Sequence, residues 1–185
     1  MIGFAGHMAL HMGLVAMVAP LLAGWMAGGR LDPARRWPRG WLASAWWPLL
    51  ASALEFLVVW GWHVPLLHAL ARGNATALLL EQASFLASGW LLWIAALGGG
   101  ARPDRARIAA GALALLLTAT HMALLGVLFA TSTRVLYPHA GATAHALEEQ
   151  QLGGVLMLAI GGVAYLLGGL VLLRRLLRGQ GRAAA

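Results

Sequence analysis

The chain has 185 residues, of which 61% are hydrophobic and only 10% charged, against about 25% charged in an ordinary soluble domain. Cysteine is absent, which excludes disulfides and thiolate metal sites. The net charge of +7 comes from arginine alone. No soluble basic face exists to carry it, so a nucleic-acid partner is excluded. One integral membrane domain covering residues 1–185 is expected.

Five segments are long enough to cross about 30 Å of hydrocarbon. They run 4–27, 42–62, 75–97, 107–131 and 152–173. The first lacks a basic n-region and outruns an h-region, so it reads as a span and not as a cleavable signal peptide. Connectors rich in glycine, proline and arginine separate the segments. Arginine alternates between them. Arg30, Arg35, Arg36 and Arg39 fill the first connector, Arg72 alone the second, and Arg102, Arg105 and Arg107 the third. Arg134 stands alone in the fourth, and Arg174, Arg175, Arg178 and Arg182 fill the tail. By the positive-inside rule the N-terminus faces out and the C-terminus in. The fold class is therefore an all-α integral membrane helical bundle of about five transmembrane helices, N-out and C-in. Glycine pairs at 153–154, 161–162 and 168–169 mark the fifth span for close helix packing.

On this topology every histidine lies on, or nearest, the outer side. A rise of about 1.5 Å per residue places His11, Glu55, Glu81 and His121 about 10, 12, 9 and 13 Å below the outer ends of their spans. Ionisable groups at that depth usually face the bundle interior and pair there. They form a buried tier, beneath an outer tier of His7, His63, His68, His139 and His145. The expected metal-site residues are His7, His11, His63 and His121, with Glu55 and Glu81 as partners or alternative ligands. His68, His139, His145 and Glu149 are read as an exposed collecting site.

His7 and His11 are four residues apart, so they share a helix face and can offer two imidazoles to one ion. Met8 and Met12 repeat the spacing one position on. Methionine in an apolar helix is mainly core filler, and beside histidine it is also a soft thioether ligand. A cysteine-free set of histidine and methionine suits copper; histidine with carboxylate also suits zinc or iron. Two other readings stand beside copper: a haem b electron-transfer anchor with bis-histidine ligation, and a proton-coupled transporter using Glu55, Glu81 and His121. No G-x-S-x-G elbow or phosphate-binding loop is present, and an enzyme is not expected.

Several blocks carry a resemblance: HMALHMGLVAMVAPLLAG at 7–24, WHVPLLHAL at 62–70, EQASFLASGWLLW at 81–93, HMALLGVLFA at 121–130 leading to LYPHA at 136–140, and EQQLGGVLM at 149–157. In order and spacing they resemble the CtaG family of membrane cytochrome c oxidase assembly factors. The chain departs from the family at Gln82, where a histidine is frequent, at His68, where a tyrosine is frequent, and at Glu149, where an aspartate is frequent. It is also short for the family, which commonly has additional spans. The resemblance implies help in inserting copper into a haem–copper oxidase in the bacterial inner membrane. The implied partners are the lipid bilayer, an oxidase subunit and a periplasmic copper donor. A homodimer sharing one site is left open.

Overall fold

A computed structural model describes residues 3–33, 44–98, 104–137 and 145–181. Among these it is all-helical. His139, Arg35, Arg36, Arg39, Arg102 and Arg182 lie outside the described residues.

The helices are α1 (Phe4–Met26), α2 (Trp47–Trp62), α3 (Pro65–Gly73), α4 (Ala75–Leu97), α5 (Arg105–Ala130) and α6 (Ala146–Arg178). Four of them, α1, α4, α5 and α6, are long and apolar enough to cross a membrane alone. The expected second span is instead a bent pair, in which α3 leaves α2 at 71°. The protein is therefore a multi-pass membrane bundle with four spans, or five when the bent pair is counted.

Local chemistry explains the boundaries. Asn74 caps α4 by accepting the Ala77 amide at 3.0 Å, and Asp104 caps α5 by accepting the Arg107 amide at 2.7 Å. Both satisfy amides that a helix start leaves orphaned. The stretch after Trp62 reads as a connector because Pro65 ends one helix. In the structure Pro65 also begins the next, at its first turn, where a missing amide costs nothing. α6 starts at Ala146, earlier than the expected 152. Glu148 and Glu149 lie in its first turn, where carboxylates favour the positive end of the helix dipole.

α1 packs between α4 and α6, and α5 packs against α2, α4 and α6. In lipid, helix association depends on close packing more than on hydrophobic burial. A close approach joins α5 to α6. A Cβ on Gly154 would stand 2.5 Å from the Ala130 nitrogen and the Gly126 oxygen. Gly161 likewise seats the Met12 sulfur, whereas Gly162 has nothing within 4 Å. Gly153 faces Phe4 and Met8 of α1, and Gly168 and Gly169 face Trp93, Leu115 and Leu116, so every member of the three pairs but Gly162 serves packing.

Two π-helical turns interrupt the long helices, Leu14–Val18 in α1 and Met157–Gly162 in α6. Such turns free a carbonyl from the regular ladder. Val15, inside the first, accepts the Trp93 indole N–H at 3.2 Å and faces the Tyr165 hydroxyl at 3.3 Å. α1, α4 and α6 are thereby tied together near mid-bundle.

Candidate metal centre

Four helices converge on one buried group above that tie. α1 contributes His7 and His11, which sit one turn apart with ring centroids at 4.1 Å. The end of α2 contributes His63, α3 contributes His68, and α4 contributes Glu81. All five side chains are buried. His7 Nε2 lies 3.3 Å from Glu81 Oε2, and His11 Nε2 lies 3.7 Å from Oε1. Ligand atoms of His7, His68 and Glu81 all fall within 4.8 Å of one another. The His63 ring stands 6.1 Å from that of His11.

The surroundings fix the imidazoles. His63 Nδ1 lies 2.6 Å from the Val59 carbonyl. A carbonyl only accepts, so Nδ1 carries the proton and Nε2 keeps its lone pair. That Nε2 is buried with no hydrogen-bond partner. Gln82 performs the same service for His11. Its Nε2 donates to Glu81 Oε2 at 3.3 Å, which turns its carbonyl Oε1 toward His11 Nδ1 at 3.1 Å. His11 Nδ1 must then donate, leaving Nε2 facing Glu81. Orientation of a ligand through its second nitrogen is the usual support for a metal-binding histidine. Gln82, read in the sequence as a departure from the family pattern, is here a bridge between two members of the group. Gln82→Leu is therefore expected to weaken metal binding about 10–100-fold, measured by competition with a chelator. Gln82→Glu, which keeps an acceptor for His11, should lose less.

Tyr137 forms the roof. It stacks on Phe4, lies 4.3 Å from the His68 ring, and donates its hydroxyl proton to the His63 carbonyl at 2.7 Å. Burial pushes its phenol above its ordinary range, so it stays a neutral donor. Phe85 and Phe129 form the walls. Tyr137 and Gln82 are site residues that reasoning from residue type passes over.

The two expected tiers do not survive as drawn. His7, His63 and His68, placed in the outer tier, are buried in the same group as His11. His68 is expected to be exposed because its segment reads as a loop; a helix, α3, turns it inward. His145 is exposed and pairs with Glu148 at 2.9 Å. Glu149 accepts the Ala5 amide at 3.1 Å and so caps α1. These contacts do not assemble the expected collecting site from His68, His145 and Glu149.

Glu55 and His121 are also not brought to the histidine group. Ala51, Glu55, Val59 and His63 share one face of α2, so Glu55 lies two turns below His63, about 12 Å away. It is fully buried and bonds to the Tyr165 hydroxyl, beside Ser52 and Thr118. Tyr165 has one proton and two acceptors, Glu55 and the Val15 carbonyl. Tyr165 donates to the Glu55 carboxyl, with the Val15 carbonyl as its second acceptor. Glu55→Gln, which keeps an acceptor for that hydroxyl, is expected to hold thermal stability within about 1 kcal/mol, whereas Glu55→Ala should cost about 1–3 kcal/mol by removing it. His121 packs edge-on against Phe56 at 5.3 Å, at the seam of α2 and α5.

Glu81 is the electrostatic centre of the group. Among the described residues its ion-pair partners are both histidines. A buried carboxylate is costly unless a positive charge meets it. Imidazoles aimed at a carboxylate form a ready set for a borderline metal cation. Four ligands about 2 Å from one ion stand about 3.3 Å apart, so holding an ion there would require the set to contract by an ångström or so.

A family model for cytochrome c oxidase caa3 assembly factors (Caa3_CtaG) matches residues 1–179. The chain belongs to this family. No curated protein and no solved structure gives a match. The match covers every helix that builds the Caa3_CtaG bundle and all five residues of the buried group.

Proposed function

We propose that this Caa3_CtaG protein binds copper through His7, His11, His63, His68 and Glu81 and assists its insertion into a haem–copper oxidase. The observation that carries the reading is the convergence of four imidazoles on one buried carboxylate at one end of the bundle. The arginine bias puts that end outward, toward the periplasm if the membrane is the bacterial inner membrane. A periplasmic donor would supply the ion, and an oxidase subunit would receive it. Such transfer needs exchange of one ligand for another and no catalytic bond-making, so the role is not enzymatic.

Copper is favoured over zinc or iron by the family's oxidase role and by the imidazole-rich, thiolate-free donor set. Haem is less well supported. A macrocycle needs a slot between two imidazoles, yet His7 and His11 are in ring contact and Phe85 packs at 4.4 Å from His11. The test is the copper content of the oxidase isolated from cells carrying His7→Ala with His68→Ala. The reading expects oxidase that is assembled but copper-depleted. Normal copper content in the presence of well-expressed double variant would end it.

A further inference from the structure

Every side chain of the histidine group is buried, so an ion reaches it only if a covering element moves. One cover is α3, whose nine residues span about 13 Å. Because α3 leaves α2 at 71°, it adds only about 4 Å of depth along the α2 axis. The 16 residues of α2 already rise about 24 Å, most of the hydrocarbon thickness. If α2 crosses the membrane, α3 lies nearly in the plane of its surface.

The two faces of α3 differ in kind. His68 and Ala71 are buried, and the His68 ring contacts Phe4, His7 and Tyr137. Val64, just before the helix, and Leu66 and Leu70 on it point away from the bundle, with Leu66 78% exposed. Leu79 and Leu80, in the opening turns of α4, are exposed as well. A short helix with an outward leucine face at the end of a span has the character of an interfacial helix, whose apolar face enters the headgroup–acyl boundary.

We propose that α3 is seated in the lipid interface through Leu66 and Leu70, and that this seat holds His68 down over the histidine group. The bilayer is then the partner that keeps the site closed. The role of His68 as a copper ligand rests on the function proposed above, while the lipid seat does not.

The absence of cysteine makes the test direct. Leu66→Cys, Leu70→Cys and, as a water-facing control, Glu148→Cys are each labelled with an environment-sensitive fluorophore. The metal-free protein is placed in phosphatidylcholine–phosphatidylglycerol nanodiscs. The labels at 66 and 70 are expected to be quenched by a nitroxide placed near the lipid headgroup and protected from aqueous iodide, with the reverse at 148. Iodide quenching at 66 and 70 equal to that at 148 overturns the seat. So does protection from both quenchers, which would indicate a second protein chain on that face. Separately, Leu66→Gln with Leu70→Gln should speed amide hydrogen exchange in α3 several-fold and leave α5 unchanged. Unaltered α3 exchange overturns the holding role, whatever the outcome for copper.

Discussion

Glu81→Ala is expected to abolish copper retention and to cost the metal-free protein about 1–3 kcal/mol, because the Gln82 amide loses its acceptor. Glu81 is a buried carboxylate among histidines. Removing one member of a buried polar cluster leaves the others unmet in the empty state. The ion also loses the only anionic ligand in the group. Changes to residues that merely orient ligands cost about 10–100-fold in affinity, so loss of Glu81 should exceed about 100-fold. Thermal unfolding gives the same answer from another side. Copper at about 1,000 times its dissociation constant should stabilise the parent by about 4 kcal/mol, and this gain should vanish in Glu81→Ala. A variant that keeps the copper-dependent gain contradicts the assignment.

Gly154→Leu is expected to be the most damaging single change away from the site. Even a Cβ at Gly154 would meet the backbone of Ala130 and Gly126 at 2.5 Å, and the Phe129 side chain at 2.9 Å. Backbone cannot step aside as a flexible side chain can. Overpacking of this kind costs about 1–3 kcal/mol and more when helices must separate. Separation of α5 from α6 would also strip the pair of the contacts that replace hydrophobic burial in lipid. Gly162→Leu is the matched control, since a Cβ there would meet nothing within 4 Å. It should fall within about 0.5 kcal/mol of the parent. Detergent-titrated unfolding followed by circular dichroism would separate the two; equal losses would refute the packing argument.

The parts of the fold that depend on composition and length are legible in the sequence, and those that depend on relative helix height are not. Apolar length identifies α1, α4, α5 and α6. The i,i+4 spacing of His7 and His11 places them on one face, and the structure puts both against Glu81. Depth counted from each span's own end assumes that all outer ends are level. They are not: Glu81 meets His7 and His11, while Glu55 sits deeper, beside Tyr165. The height of a helix is set by its neighbours, which a single chain segment does not encode. His121 shows a second limit, because depth says nothing of the face, and it packs on Phe56 instead of turning to the group. His68 is readable in principle. Leu66 and Leu70 are one turn apart with His68 between them on the opposite side, an amphipathic pattern hidden by the habit of reading proline and a short apolar run as a loop. Gln82 cannot be found by residue type, since its role depends on the carboxylate beside it and a histidine on another helix.

The most direct test of the central claim is X-ray absorption at the copper edge, on the purified protein loaded with one equivalent of copper. Ligation by the buried group predicts a shell of nitrogen and oxygen, with the outer-shell scattering of several imidazoles, lost together in His7→Ala with His68→Ala. A sulfur-dominated shell would point to Met8 and Met12 instead. That result, or an imidazole signal unchanged in the double variant, would contradict the account.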